Sequence, residues 1–548
     1  MRGTRHLMHH RLHEEYGDTV RFSPTHVSFC NELAFKDILN KKPGRGQLKK
    51  DPITYDAISG GKVHSILTTP SDDEHSRYRR LLSHGFSEKA LKEQEPLLLH
   101  YVNLLIFKLH EHAKDGTPQD MVAWFNWTTF DLIGDLTFNE SFSCLDSASY
   151  HPWIQFIFGN IKASATMATL KFLPFANWMI MWLLGSKIQS MKQQNANFTS
   201  EKVAHRMSMQ TERTDFLSYV LNDAKDSHAM TLREIEAVSS ILVLAGSETT
   251  ATLLAGATYL LLKYPRTLRK ATAEVRDHFK SGEDITSSTV KELPYLNAVL
   301  DESLRIFPPV PLGSPRVIPA HGDVINGYTL PAKTIVFGLN YAAFHSSRNW
   351  ADPETFIPER WLGEARFEGD ARGVLQPFSL GPRNCIGKSL AYAEMRIIMA
   401  RVLWHFDMEI SGSSKGWMES MKIYSLWEKP KLGDLSRKTE VVSGSECVVT
   451  NCAICNTLYW SRPEDYTVDA PGDGGKPSFI QCEDDGRCNW GGNGADQILV
   501  INKNIRNQYN EYGSYYILPA NTANLTMKES TVLKNVAQWS EYDVNVAV

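Results

Sequence analysis

The stretch FSLGPRNCIG, from Phe378 to Gly387, is followed directly by KSLAYAEMRIIMARVLWH, which contains neither glycine nor proline. Apolar residues recur in the second segment at helical spacing, so we predict a helix from Gly387 to Phe406. Cys385 then lies in a glycine-containing loop at a helix N-terminus. The helix dipole and free backbone N–H groups favour a thiolate there, and Arg383 adds positive charge. By itself such a cysteine is a candidate nucleophile, redox thiol or metal ligand, or a buried structural residue.

The loop also meets all five fixed positions of the pattern F-x-x-G-x-R-x-C-x-G, with Phe378, Gly381, Arg383, Cys385 and Gly387. With this loop the chain resembles the cytochrome P450 family, in which a cysteine thiolate holds the haem iron. The resemblance implies that Cys385 is the axial ligand, that the glycines let the backbone approach the porphyrin, and that Phe378 covers the sulfur. It extends over about residues 12–432.

A second motif precedes the loop. Glu302 and Arg305 form E-x-x-R at positions i and i+3, which lie on one face of a helix. The segment FIPERW, Phe356 to Trp361, follows and supplies Arg360. By the resemblance, these charges form the structural Glu–Arg–Arg cluster behind the haem. E-x-x-R alone is typical of surface ion pairs, so the prediction depends on the combination.

A long apolar segment, Leu232 to Leu262, predicts a buried helix, because the carboxylates inside it are costly in lipid but acceptable beside a site in a soluble core. Residues 245–249, AGSET, resemble the family's A-G-x-[DE]-T stretch. The resemblance implies that Thr249 assists oxygen activation and that Glu248 relays protons from solvent. Adjacent helix residues point about 100° apart, so we expect a local distortion at Gly246 that opens a groove.

Haem also carries two propionates, which need cationic or N–H partners. His75 and Arg79 form H-x-x-x-R in EHSRYRRLLSHGFS, where the family has tryptophan or histidine at the first position. Arg316 in PPVPLGSPRVIP and Arg383 in the cysteine loop match the other arginines that the family places beside propionates. By contrast, we interpret KKPGRGQLKK, residues 41–50, as a solvated loop, with a docking face for an acidic reductase as the alternative.

The 548-residue chain has two parts of different composition. Up to Leu432, helical patterns surround a short strand-like region between Phe307 and Pro377, which predicts a mainly α fold with a small β region. The resemblance implies that this is the cytochrome P450 fold. Beyond it Asn, Gly, Asp, Tyr and Cys dominate, with strand-like runs QILVINKN and GSYYILPA. We therefore predict a haem-thiolate monooxygenase domain over residues 1–435 and an unrecognised extension of partly β character over residues 436–548.

The extension contains five cysteines spaced C-x4-C-x2-C-x26-C-x5-C and no histidine. Four thiolates are enough for a zinc site, but five cysteines with one C-x-x-C make a weak pattern. Disulfides require an oxidising compartment, whereas the family's catalytic domain faces the cytosol. Our preferred interpretation is an appended module with no catalytic role.

The charge and hydropathy of the chain bear on whether it binds nucleic acid and how it associates with a membrane. A formal net charge of -4 gives no basic footprint for nucleic acid. The N-terminus MRGTRHLMHHRLHEEYGD has no apolar segment, so the membrane helix and proline-rich hinge of the family's fungal members are missing and the chain is expected to be truncated. The segment 170–184, LKFLPFANWMIMWLL, is too short to span a bilayer and is either an interfacial patch that grazes the membrane or a buried helix.

The leading hypothesis is a haem-thiolate monooxygenase that inserts one atom of O₂ into a small apolar molecule, by hydroxylation or a related oxidation. The opening HEEYGDTVRFSPTHVSF and the closing LWEKPKL resemble the fungal secondary-metabolite and mycotoxin class. The resemblance implies haem b, a separate NADPH-cytochrome P450 reductase, and the cytosolic face of the endoplasmic reticulum membrane. No G-x-G-x-x-G follows a strand, so we predict no flavin or nicotinamide domain in this chain.

Two alternatives remain at this point. One is a haem-thiolate isomerase or dehydratase that needs no external electrons, against which Glu248 and Thr249 argue. The other is a non-catalytic haem-binding or interaction protein that acts through the extension. The substrate stays open among terpenoid, polyketide and alkaloid skeletons, since Ile241, Leu242 and Leu244 indicate only an apolar ligand.

Overall fold

The computed structural model describes residues 3–59, 63–113, 118–155, 174–209, 213, 215–222, 229–424 and 426–437, and short strands between residues 469 and 519. The chain divides into two compact units, Met1–Val441 and Val442–Val548. The first unit holds all the motifs of the predicted site.

The first unit is mainly helical. Its helices are α1 (Arg5–Tyr16), α2 (Glu32–Leu39), α3 (Pro52–Ser59), α4 (Asp72–Ser83), α5 (Glu88–His112), α6 (Met121–Phe138), α7 (Cys144–Ser147), α8 (Pro174–Ser208), α9 (Phe216–Asn222), α10 (Leu232–Lys263), α11 (Pro265–His278), α12 (Pro294–Ile306), α13 (Asn340–Phe344) and α14 (Lys388–His405).

The strands of this unit are short: β1 (Thr19–Ser23), β2 (His26–Phe29), β3 (Lys49–Lys50), β4 (Gln119–Asp120), β5 (Arg316–Val317), β6 (Asp323–Ile325), β7 (Tyr328–Leu330), β8 (Ile335–Gly338), β9 (Asp407–Ile410), β10 (Lys422–Tyr424), β11 (Leu426–Glu428) and β12 (Gly433–Arg437). The largest sheet has the order β1-β2-β8-β5-β3. Strands β4, β12 and β9 form a second sheet, and the pairs β6–β7 and β10–β11 are hairpins. The predicted mainly α fold with a small β region is confirmed.

The central element is α10, which packs against α6. A capping box begins α10, because the Thr231 hydroxyl accepts from the Glu234 backbone N–H and the Glu234 carboxylate accepts from the Thr231 N–H. Apolar side chains from α5, α6, α10, α12 and α14 join in one hydrophobic core. Burying a leucine- or phenylalanine-sized side chain contributes roughly 1.5–3 kcal/mol, so this core fixes α10 firmly beside the elements that carry the site.

The expected distortion at Gly246 is wrong, because α10 continues as a regular α-helix from Leu232 to Lys263. The glycine serves close packing instead. A Cβ atom at Gly246 would lie 2.6 Å from Cδ1 of Ile133 on α6. The absence of a side chain therefore brings the two helices together at this level.

The predicted boundary near residue 435 falls inside β12. Leu435 pairs with Glu409 of β9, and Gly433 pairs with Asp120 of β4. Residues on both sides of the predicted boundary thus take part in this sheet. The boundary itself stays a prediction.

The second unit is described by β13 (Asp469–Ala470), β14 (Ser478–Cys482), β15 (Cys488–Gly491), β16 (Gln497–Ile501) and β17 (Tyr515–Pro519). Strands β13, β14 and β15 form one antiparallel sheet, and β16 pairs with β17 in another. Cys482 lies opposite Cys488 in the β14–β15 register, while Cys447, Cys452 and Cys455 lie outside the described residues.

Candidate active site

The cysteine loop is a tight turn that ends at α14. The Cys385 N–H donates to the Phe378 carbonyl over 2.9 Å, and Gly387 is the N-cap of α14. Gly381 has φ 72°, and a Cβ atom there would lie 2.3 Å from the Leu39 carbonyl oxygen. Glycine at Gly381 is therefore required by the fold itself. At Gly387 the nearest atom to an added Cβ would be in the Phe86 ring at 3.7 Å, which is ordinary contact.

The thiol of Cys385 is accessible but surrounded by protein. Its side chain is exposed, whereas Cys30 and Cys144 are buried. Burial raises the pKa of Cys385, and the Gly387 N–H, Arg79 and Lys388 oppose that shift. The Gly387 N–H and the two nearby cations thus favour the thiolate, as expected for this loop, and desolvation opposes it. A coordinating metal deprotonates such a thiol outright.

One strip of α10 is accessible on a helix whose other faces are buried. Ala245 is exposed and Ile241, Leu244 and Thr249 are half-buried, whereas Leu242 turns into the core. The Thr249 hydroxyl donates to the Ala245 carbonyl over 2.7 Å. This strip presents apolar side chains and one hydroxyl to a solvent-accessible space.

Glu248 does not lie on that strip. It is 2% exposed and forms an ion pair with Lys429, which follows β11. The Lys429 ammonium also donates to the Thr252 hydroxyl over 2.7 Å. Glu248 therefore lies in a buried polar network rather than at a solvent channel. Lys429 could not be predicted from local spacing, because 181 residues separate it from Glu248.

The predicted propionate partners are gathered around the start of α4 and the cysteine loop. Arg79 donates to the Asn384 carbonyl over 2.7 Å and to its side-chain oxygen over 2.6 Å. Arg383 donates to the Thr69 carbonyl over 2.7 Å and pairs with Asp72 over 2.9 Å. Both arginines therefore have protein partners that hold them beside the loop.

Arg316 is held differently. It is 2% exposed, and its Nη1 donates to the Tyr55 hydroxyl over 3.3 Å and to the Pro315 carbonyl over 3.1 Å. Its Nε atom is buried and has no hydrogen-bond partner among the described residues. An unsatisfied buried donor of this kind costs about 1–3 kcal/mol, which favours an acceptor at this point.

Lys50 belongs to the same cluster, and its interpretation as part of a solvated loop is wrong. It is 5% exposed because β3 pairs it with Arg316 of β5. Burial lowers the pKa of Lys50 to about 6, and Arg316 and Arg383 lower it further. Its ammonium donates to the Leu67 carbonyl and lies 4.8 Å from the centre of the Tyr55 ring.

His75 completes the cluster on α4. Burial lowers the pKa of His75 to about 3, with further lowering by Arg383, Lys50 and Arg79. The imidazole is therefore neutral at pH 7 and offers an N–H donor. The charges of Arg316 and Arg383 act against the charged form of Lys50, and Asp72 offsets only part of their effect.

These groups fit a haem. Its iron takes a cysteine thiolate, and Cys385 presents an accessible sulfur. Its two carboxylates require cations and donors, and Lys50, Arg316 and His75 form a buried basic cluster with the unpartnered Arg316 Nε. The donor set thus matches both ends of the cofactor.

Behind the loop, Glu302, Arg305 and Arg360 come together with no exposed side-chain surface. Arg305 Nη2 donates to Glu302 Oε1 over 2.7 Å, and Arg360 Nε donates to the same oxygen over 3.3 Å. Arg305 also donates to the carbonyls of Phe344 and Pro353 over 2.7 and 2.6 Å. Glu302 thereby links α12 to the segment that precedes the cysteine loop.

Within the described ranges, α10 is the one helix long and apolar enough to cross a membrane, and most of its apolar window is buried in the protein. This agrees with the prediction of a buried helix. The predicted patch over residues 170–184 lies outside the residues whose side chains are described.

Comparison with known proteins gives the same assignment. The family model described as Cytochrome P450 matches residues 1–436. Cytochrome P450 monooxygenase astA of Talaromyces wortmannii is 43% identical over 432 residues, which are 79% of this chain and 87% of that protein. Trichothecene C-15 hydroxylase of Fusarium sporotrichioides is 41% identical, covering 78% of this chain and 87% of the relative. Averantin hydroxylase of Dothistroma septosporum is 41% identical, covering 77% and 80%.

These relatives are named as a monooxygenase and two hydroxylases, and each of them aligns with between 77% and 79% of this chain. The match includes the cysteine loop, the E-x-x-R helix and α10. The chain therefore belongs to the cytochrome P450 family and is a haem-thiolate monooxygenase, an oxidoreductase that uses O₂ and electrons from a redox partner.

Proposed function

We propose that this monooxygenase oxidises a small apolar molecule as a tailoring step of secondary-metabolite or mycotoxin biosynthesis. The names of the relatives support the pathway class, since they include a trichothecene and an averantin hydroxylase. The apolar strip of Ile241, Leu244 and Ala245 on α10 supports an apolar substrate. Such a surface orients a ligand mainly by shape and by excluding water.

The haem would be held at two ends. Cys385 would be the axial ligand, in the turn shaped by Phe378, Gly381 and Gly387. When bound, the cofactor supplies O₂ activation and transfer of one oxygen atom to the substrate. The residues that would hold its propionates are the basic groups of the cluster and the two arginines near the loop: Lys50, His75, Arg79, Arg316 and Arg383.

Two residues of α10 are proposed to control protons. Thr249 has its hydroxyl on the accessible strip, where its oxygen can accept a hydrogen bond from a water while its proton is donated to the Ala245 carbonyl. Glu248 is the nearest carboxylate in sequence and is proposed to exchange protons with that water. The buried position of Glu248 means that its protons pass through polar neighbours rather than directly from bulk solvent.

Electrons are proposed to come from NADPH through a separate NADPH-cytochrome P450 reductase. The expected location is the cytosolic face of the endoplasmic reticulum membrane, with residues 170–184 as a peripheral contact. Glu302, Arg305 and Arg360 are proposed to be structural, because they join α12 to the loop region through buried bonds. No role in catalysis is proposed for the second unit.

The accessible thiol of Cys385 beside the basic cluster is the observation that carries this proposal. Reduced protein with carbon monoxide should give the red-shifted Soret band of thiolate-ligated haem. Cys385→Ala should lose that band, while Cys144→Ala, at a buried cysteine far from the loop in sequence, should keep it. A histidine-type spectrum in the unmodified protein would contradict the assignment of Cys385.

A further inference from the structure

Lys429 lies in LWEKPKL, after β11, and outside the cysteine loop, the E-x-x-R pair and the AGSET stretch. Its ammonium forms an ion pair with Glu248 Oε1, and the two side chains are 5% and 3% exposed. It also donates to Thr252 Oγ1 over 2.7 Å, and that hydroxyl is 3.3 Å from Glu248 Oε1. Lys429, Glu248 and Thr252 therefore form a closed, buried triangle on α10.

The two carboxylate oxygens of Glu248 differ in their hydrogen-bond partners. Oε1 is bound by both Lys429 and Thr252, whereas Oε2 is buried without a partner among the described residues. A carboxylate oxygen that is fixed in place but unsatisfied is a strong acceptor for a water or for a proton. The cation thus determines which oxygen of Glu248 stays available.

Lys429 is not needed to anchor its own segment. The Leu432 N–H donates to Asp120 over 3.1 Å, and the Met121 N–H donates to the Leu432 carbonyl over 3.0 Å. The Trp427 indole donates to the Pro308 carbonyl over 2.8 Å. Because these bonds flank Lys429 on both sides, its segment stays anchored without it, and any stabilisation by the lysine comes from its own contacts with Glu248 and Thr252.

We propose that Lys429 is a positioning residue that orients Glu248 for proton exchange during turnover. Lys429 binds Oε1 and leaves Oε2 as the oxygen that accepts and releases the proton. The inference rests on the proposed role of Glu248 in proton delivery. It goes further by assigning control of that residue to a lysine at the far end of the first unit.

Other titratable groups lie on the elements that surround the triangle, and of these Tyr150 interacts with Glu248. Tyr150, in the segment after α7, is within electrostatic reach of Glu248, and burial together with that charge raises its pKa. Asp120 at the start of α6 has its pKa raised by burial, and Lys431 opposes the shift. Glu394 on α14 lies beside Thr250 of α10, and burial raises the pKa of Glu394 to about 8.

The test measures hydrogen peroxide released per NADPH oxidised, from pH 5.5 to 9, with the reductase and 7-ethoxycoumarin as a surrogate apolar substrate. The variants are Lys429→Met, Lys429→Arg and Glu248→Gln. The control is Lys263→Met, which removes a lysine from an exposed ion pair with Glu419. The carbon monoxide spectrum of each variant reports whether the haem site is intact.

We expect Lys429→Met to raise the peroxide fraction at least about fivefold, because Glu248 loses the cation that orients it. Lys429→Arg should restore most of the coupling, and Lys263→Met should behave as the unmodified enzyme.

Unchanged coupling in Lys429→Met, with Glu248→Gln impaired, would overturn the inference alone. No effect of Glu248→Gln would instead overturn the proposed role of Glu248, and this inference with it. Should Lys429→Met fail to fold, Lys429→Gln removes the charge but keeps a donor near Glu248 and Thr252. Normal coupling in Lys429→Gln would then overturn the inference.

Discussion

Among the residues that the structure describes, no carboxylate pairs with the Lys50 ammonium, and Arg316 and Arg383 make its neighbourhood basic. It is buried beside Arg316 and Arg383, which lower its pKa together with burial. A cation in such a place is stabilised when an anion binds, because the ligand restores the favourable interactions lost on burial. This is why we include Lys50 among the residues that would hold the haem propionates.

Lys50→Met should therefore weaken haem retention. Losing one charge-assisted contact of about 1–3 kcal/mol should speed haem loss roughly 5- to 100-fold. The measurement is the rate of haem transfer to excess apomyoglobin. Lys49→Met is the matched control, because Lys49 is the exposed neighbour on the same strand. Equal rates for the two variants would show that Lys50 does not contact the cofactor.

Thr249→Ala should change how efficiently electrons are used rather than whether haem binds. The Thr249 hydroxyl lies on the accessible strip and is held by the Ala245 carbonyl. Losing one hydrogen bond there should shift the branch between product and hydrogen peroxide by about 1–3 kcal/mol, roughly a factor of 5 to 100. The measurement is product formed per NADPH oxidised with one accepted substrate.

The control for this prediction is Thr258→Ala, at a buried threonine further along α10. It should leave coupling unchanged. The same result in Thr249→Ala would make Thr249 an ordinary helix residue whose hydroxyl only satisfies a backbone carbonyl.

At the residue scale, the sequence predicted the residues that belong to contiguous motifs and missed those set by distant contacts. Cys385, Gly381 and the H-x-x-x-R pair are recognisable because their spacing is local. Lys50 was misassigned because its burial depends on pairing with Arg316, and Lys429 was missed because its partner Glu248 is far away in the chain.

At the scale of elements, long helices can be predicted because their apolar residues recur with a period of about 3.6 residues. The predicted helix from Leu232 to Leu262 matches α10, and the one from Gly387 to Phe406 matches α14. The regular course of α10 through Gly246 was not predictable, because it depends on how closely Ile133 of α6 approaches.

Two buried histidines of α1, His6 and His9, should make the stability of the protein depend on pH. His6 packs between Tyr341 and Trp427, with ring centres 4.7 and 5.0 Å away, and His9 packs 4.6 Å from Phe22. Burial lowers the pKa of His6 to about 4 and that of His9 to about 3, and His10 and Arg5 respectively lower them further. Both imidazoles are therefore neutral in the folded protein at pH 7.

Unfolding exposes these histidines, whose ordinary pKa is 6.5. Below that pH the unfolded chain binds protons that the folded protein does not, so stability is complete above pH 6.5 and falls as the pH drops towards 4. Each histidine contributes a slope of up to about 1.4 kcal/mol per pH unit. The variant His6→Phe/His9→Phe should flatten the fall of melting temperature between pH 6.5 and 4.5.

The control is His100→Gln, which removes an exposed histidine of α5. It should retain the full pH dependence. An equally steep loss of stability in the double variant would mean that protonation of His6 and His9 does not cause the loss.

At the scale of the whole molecule, buried charges connect parts that are distant in sequence. Glu302 joins Arg305 and Arg360, and Lys429 joins the end of the first unit to α10. Removing one member of such a buried pair typically costs 3–5 kcal/mol, about a third or more of a domain's stability. The first unit therefore depends on residues close to its C-terminal end.

The end of that unit can be located by truncation. Strand β12 crosses the boundary predicted near residue 435 and pairs with β9 and β4 in a single sheet. A chain ending at Val441 keeps these pairs and the Lys429–Glu248 contact, so it should fold, bind haem and keep the carbon monoxide spectrum of the full chain. A chain ending at Leu432 loses β12, which leaves β4 and β9 without the strand between them, and it should melt several degrees lower. Melting curves and haem content of the two truncated proteins, compared with the full chain, make the measurement. If the chain ending at Val441 does not take up haem while the full chain does, the second unit contributes to the fold of the first, because only residues 442–548 differ between them.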